Sequence, residues 1–160
     1  METGLRLVRI DAHSPHVATL AGWAHAEWGH LHPERDPAAA IATFRDDCGP
    51  AGVPSVFATL AGERPVGMAS LVVDDMSDRP ELSPWLASVF VLPEWRGRGL
   101  ASWLVRRVEE EARAHGVARF YLYTPDQQAL YRRLGWRDRE ARHYRDEAVT
   151  IMQRDLVSPA

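Results

Sequence analysis

The chain has 160 residues, enough for one domain around one core, expected to span 1–160. Its composition, 46% hydrophobic and 26% charged with a net charge of -3, is that of a soluble globular protein and argues against a nucleic-acid partner. No apolar run approaches the roughly 20 residues of a membrane helix, and "METGLRLVRIDAH" lacks an apolar signal core, so neither membrane insertion nor export is expected. The lone cysteine, Cys48, rules out an internal disulfide and a cysteine-cluster zinc site, as expected for a reducing cytoplasm. All 19 basic residues are arginine, and asparagine is also missing. Both absent residues use A-rich codons, which points to a GC-rich bacterial genome and weakens any claim that a given arginine was selected over lysine for its geometry.

Along the chain, "GLRLVRI" alternates as a first strand. "SPHVATLAGWAHAEW" predicts a helix with Ser14 as N-cap and Pro15 at the first helical position. After the polar loop "GHLHPER", Asp36-Pro37 repeats that device before a second helix that ends by Gly49-Pro50. "PSVFATL" and "PVGMASLVV" are strands around the turn "AGERP". "WLASVFVL" is apolar nearly throughout, as for a central strand buried on both faces, and ends at Pro93. The helix "GLASWLVRRVEEEARAH" carries an apolar stripe of Leu100, Leu104, Val108 and Ala112. Arg106–Glu110, Arg107–Glu111 and Glu109–Arg113 are spaced for surface ion pairs. "ARFYLY" is the next strand, "TPDQQALYRRLGW" holds a short helix stopped by Gly135, and "RDREARHYRDEAVTIMQRDL" closes with two strands. The order is β-α-α-β-β-β-α-β-α-β-β, an α/β fold with a mixed sheet of about seven strands and helices on both faces.

The junction "VLPEWRGRGLAS" can bind an anion. A helix opens there with backbone N–H groups that have no internal partner, and its dipole is positive at that end. Gly97 and Gly99 bare that backbone, and Arg96 and Arg98 add charge, so "RGRGLAS" reads as a phosphate cradle. Ser102 stands where a dinucleotide fingerprint has its third glycine, and no P-loop is present.

"VFVLPEWRGRGLASWLV" resembles motif A of the GNAT acyl-CoA N-acyltransferases, Arg/Gln-x-x-Gly-x-Gly/Ala, at Arg96, Gly99 and Ala101. "ALYRRLGW" is similar to their Tyr-x-x-x-Gly-Phe motif at Tyr131 and Gly135, with Trp136 for Phe. The resemblance implies a bulged fourth strand whose backbone at Val89, Phe90 and Val91 holds the pantetheine arm of acetyl-CoA. It implies pyrophosphate on the N–H groups of Arg96, Gly97, Arg98, Gly99, Leu100, Ala101 and Ser102, with Tyr131 near the thioester sulfur. Thr124 departs from the pattern where the family often has asparagine, and Asp126 is the residue placed to take over its contacts.

The activity so implied is acetyl transfer from acetyl-CoA to a primary amine of a small molecule or peptide, by direct attack in a ternary complex. An N–H near Val91 would face the developing oxyanion. Full proton transfer from a tyrosine of pKa about 10 to a thiolate of about 8.5 is uphill by roughly 2 kcal/mol, so Tyr131 is a hydrogen-bond donor that protonates late. No general base is evident. The family often has a glutamate on the fourth strand, whereas this strand offers Ser88. Glu27, His30 and Glu81 stand near the expected acceptor site but read as solvated or structural groups, and a water chain to Ser88 or a backbone carbonyl is an equal alternative. Trp28 and Trp85 are candidates for an aromatic acceptor pocket, with core packing as the default for each. The spacing of His25, Glu27, His30 and His32 matches no metal motif, so no metal is expected. Asp46 and Asp47 would raise the Cys48 thiol and oppose its use as a nucleophile. A non-catalytic acyl-CoA sensor, a protein N-terminal acetyltransferase and a homodimer stay open as alternatives.

Overall fold

The computed structural model describes residues 4–156. Its elements are β1 (Leu5–Ile10), α1 (Val17–Trp28), α2 (Pro37–Asp46), β2 (Ser55–Ala61), β3 (Arg64–Val72), β4 (Trp85–Val91), α3 (Leu100–Ala114), β5 (Arg119–Thr124), α4 (Gln128–Arg133), β6 (Arg137–Tyr144) and β7 (Glu147–Asp155). Short single-turn helices follow α1 (Gly29–Leu31) and β4 (Pro93–Trp95). The order agrees with the sequence reading, and the strands form one seven-stranded sheet, β1-β2-β3-β4-β5-β7-β6. Its one parallel pair is β4–β5, joined through α3; the other neighbours are antiparallel. Among the described residues no helix is long and apolar enough to cross a membrane.

Strand alternation divides the core. Val56, Ala58 and Leu60 of β2 turn toward Leu20, Ala21 and Phe44 on α1 and α2. Phe57 turns the opposite way, toward Leu104, Val105 and Val108 of α3. The α3 stripe is buried as its spacing predicts.

The helix ends are partly corrected. Asp36 caps α2 by accepting from the Ala39 N–H at 2.8 Å, with Pro37 in its first turn. Ser14 does not cap α1 and Pro15 is not its first residue, because the helix starts at Val17; the Ser14 hydroxyl accepts from the His16 N–H in the turn before. Of the expected surface pairs on α3, Arg107–Glu111 forms, but with a buried acid. Glu109 and Glu111 are buried at 4% and 5% exposure, too deep for solvated pairs. Arg154 Nε meets Glu109 at 2.7 Å, and Glu111 collects Arg9 (2.7 Å), Arg107 (3.1 Å), His115 (3.1 Å) and the Gly52 N–H (2.7 Å). The sheet supplies cations to this side of α3, so the acids turn inward to meet them.

A bulged strand opens a candidate acetyl-transfer cleft

The site begins with a defect in β4. Its pairing with β3 runs in register through Ala87↔Ser70 and resumes at Phe90↔Met68, so Ser88 and Val89 oppose the single residue Ala69. Ser88 adopts φ +54, unusual for a residue with a side chain. On the other edge, β4 pairs with β5 through Trp85↔Tyr121 alone. Beyond that point residues 86–91 and 122–126 line opposite sides of a cleft of about 1210 Å³. The expectation of burial on both faces therefore holds for Trp85–Ala87, whereas Ser88–Phe90 are half-open because their neighbouring strand has moved away.

The glycine junction closes one end of the cleft. Gly97 and Gly99 have φ +78 and +80, the left-handed region that disfavours a side chain, and a Cβ on either would meet nothing within 4 Å. Dihedral demand and open space thus coincide. The helix dipole of α3 is left unanswered there: no side chain caps the helix and no acid lies in its first turn. Gly97, Gly99, Leu100, Ala101 and Ser102 all line the cleft, as does Arg96. The Arg96 Nε donates to the Val91 carbonyl at 2.9 Å, and its guanidinium lies 5.6 Å from the Phe90 ring centroid, so the side chain braces the strand end. Arg98 is not among the lining residues; its guanidinium lies 4.5 Å from the Trp95 ring centroid.

Tyr131 reaches the opposite side of the gap from α4. Thr124 Oγ1 accepts from the Gln127 N–H at 3.0 Å and opens that helix. Gly135, at φ +101, ends it, with the Trp136 N–H on the Tyr131 carbonyl at 2.9 Å. Trp136 then packs edge-on to the Tyr131 ring at 6.1 Å. Burial first, and then the charge of Asp126, raise the Tyr131 phenol above its ordinary value. The hydroxyl is held protonated, fit to donate and unfit to ionise. Asp126 also lines the cleft.

Val89, Phe90, Val91, Tyr131, Asp126, Trp28, His30 and Ser88 therefore share one cavity with the glycine junction. Besides Arg98, two expected residues do not. Trp85 is fully buried, with Nε1 on the Leu82 carbonyl at 2.7 Å, because it sits where β4 still pairs with β5. Glu81 is exposed and outside the cleft. The aromatic lining comes instead from Trp28, edge-on to Phe90 at 6.4 Å, with Tyr123 and Tyr144 5.5 Å apart on the far side. Asp47, Asp75 and Arg35 also line the cleft and escaped the sequence reading. The only signal was the pair of doublets "RDDC" and "VVDD", each following a regular element. His25, Glu27, His30 and His32 form no metal-holding group among the described residues.

A family model described as "Acetyltransferase (GNAT) family" matches residues 17–136. The chain belongs to the GNAT acetyltransferase family. No curated protein matches it by sequence. Several solved structures share the GNAT fold. An aminoglycoside 6'-acetyltransferase type Ii superposes with TM-score 0.73 at 16% identity, covering 97% of this chain and 99% of that one. An aminoglycoside 6'-N-acetyltransferase complexed with coenzyme A gives 0.73 at 15%, with 97% and 99% covered. The yncA protein of Salmonella typhimurium, a putative acetyltransferase with its cofactor acetyl-CoA, gives 0.71 at 21%, with 99% and 97% covered. The likeness at these identities is one of fold, and the bulge, the splayed strands and the glycine junction are where this GNAT chain puts its cleft.

Proposed function

We propose that the protein is a cytoplasmic acetyl-CoA-dependent N-acetyltransferase acting on a primary amine of a small molecule or peptide. The observation that carries this reading is the gap between β4 and β5, with an uncapped helix end at one side and Tyr131 at the other. The residues fit the thioester in three respects. Gly97 and Gly99, with the first turn of α3 that no side chain caps, offer backbone N–H groups and open space to a pyrophosphate. The backbone of Val89 to Val91, half-open at Val89 and Phe90 and lining the cleft throughout, offers strand-like hydrogen bonds to a pantetheine arm, as an added strand would make. The volume, about 1210 Å³, leaves room for an acceptor beside it.

Acetyl-CoA supplies an activated acyl carbon. The chain's own residues do the rest. A backbone N–H near Val91 polarises the carbonyl, and being fixed in a strand it costs no reorganisation. Tyr131 donates to the sulfur as negative charge builds there and is reprotonated from the substrate side. The cleft narrows the approach of the amine to one face of the carbonyl.

The test is a screen of acetyl-CoA turnover, read as free thiol, across a panel of primary amines, with Tyr131→Phe as control. Turnover with one amine class and its loss in the control supports the reading. Coenzyme A binding without turnover would leave a sensor, and no binding would overturn the assignment.

A further inference from the structure

The reaction needs a group to take the ammonium proton, and β4 offers none. The opposite mouth of the gap does. Leu122 of β5 lies with Tyr131 in the core under α3, whereas Tyr121 and Tyr123, on the other face, lie with Met76 and Ala87. Asp75 precedes Met76, lines the cleft and is electrostatically coupled to Tyr123. It therefore stands across the gap from Tyr131. Asp47, at the end of α2, and Arg35, before its start, reach the same corner and act on the Asp75 charge. The Asp75 carboxylate makes no hydrogen bond among the described residues, so its oxygens are free for a ligand. Other charged groups line the cleft from Glu27 and His30 on the α1 side and from Arg145 and Glu147 beside the β6–β7 turn. Arg145 is engaged by the Tyr144 hydroxyl and the Leu31 carbonyl.

We infer that Asp75 is the general base of the reaction, with Asp47 and Arg35 as the positioning residues that tune its charge. This rests on the acetyltransferase reading. One N–H bond of the ammonium breaks and its proton passes to Asp75. The freed lone pair forms the C–N bond to the acyl carbon as the C–S bond breaks. The thiolate takes a proton from Tyr131, which a second amine proton replaces. Products are amide, thiol and the proton that Asp75 releases to water.

The electrostatics match that role. Burial, then the charge of Asp47, raise the Asp75 carboxyl to about 8, against the opposing pull of Arg35. Burial and Asp46 raise Asp47 to about 6. An ordinary carboxylate is too weak a base for an ammonium; one matched to neutral pH is not. The arriving cation also favours the ionised form of its acceptor.

The experiment measures kcat/KM from about pH 6 to 10, bracketing the carboxyl and amine ranges, for acetyl-CoA with the fastest amine of the panel. It compares wild type, Asp75→Asn and Asp47→Asn, with coenzyme A binding measured by calorimetry. Wild type should rise to a plateau through an apparent pKa near 8. Asp75→Asn should lose about 100-fold at pH 7 and climb about tenfold per pH unit toward the amine's own pKa near 10, with coenzyme A affinity within about threefold. Asp47→Asn should move the wild-type limb to lower pH, since it removes a negative neighbour. If Asp75→Asn does not fold, that shift and a carbon-13 aspartate carboxyl titrating near 8 in wild type carry the test. A wild type that turns over amine but keeps its rate and limb in Asp75→Asn overturns this inference alone. A wild type that does not bind coenzyme A overturns the acetyltransferase reading with it.

Discussion

The two sides of the β4–β5 gap are built in different ways. The side that faces α3 is made of backbone: two left-handed glycines, a helix end and a bulged strand, all within residues 88–102. The side that faces α1 and α2 is made of side chains from separated segments: Trp28, Arg35, Asp47, Asp75, Tyr123 and Tyr144. A backbone site is coded by a short run whose residues must occur together. A side-chain site needs only that the fold bring distant positions to one corner, and each of them alone looks ordinary.

Substitutions on the two sides should separate accordingly. Trp85, which pairs and packs below the point where the strands part, should behave as core. Trp85→Ala should cost about 3–5 kcal/mol of stability by chemical denaturation. Trp28→Ala, in the cleft wall, should instead raise the acceptor KM with little loss of stability. A destabilised Trp28→Ala with an unchanged acceptor KM would blur the contrast between the two tryptophans. Next in size, Tyr131→Phe should lower kcat about 100-fold, or roughly 2.7 kcal/mol, and leave the acetyl-CoA KM within about threefold.

Gly99→Val tests the backbone side. A β-branched residue at φ +80 is strained by about 1–2 kcal/mol, and relief would turn the first-turn N–H groups of α3. The acetyl-CoA KM should rise about tenfold while the acceptor KM holds. The smallest effect is expected at Cys48. Burial and then Asp47 raise its thiol to about 11, and it is 5% exposed, so iodoacetamide at neutral pH should leave it unmodified and activity unchanged.

Most of the fold was legible because its signals are local. The α3 stripe, the Asp36-Pro37 cap and the Gly135 stop each sit within one turn of what they specify. The cradle at Gly97 and Gly99 was legible for the same reason. Trp85 misled because an apolar strand has the same letters whether its neighbour stays or splays away. Only the missing β5 pairs beyond Tyr121 distinguish its two ends. Helical spacing found the Arg107–Glu111 pair, but it could not show the burial of Glu109 and Glu111 or the arginines, Arg154 and Arg9, that the sheet brings to them. Asp75 had no local signal beyond the doublet "VVDD". Its character comes first from burial in the cleft wall and then from Asp47, which is far away in sequence and is carried to the same corner by α2.

The most direct test of the two-sided cleft is a crystal structure with coenzyme A. The account predicts the pyrophosphate within hydrogen-bond distance of N–H groups between Gly97 and Ser102, and the pantetheine arm between β4 and β5 along Val89 to Val91. The thiol should lie beside the Tyr131 hydroxyl, with Asp75 facing the cleft across the gap. A coenzyme bound elsewhere, or a β5 that closes onto β4 beyond Tyr121, would contradict it.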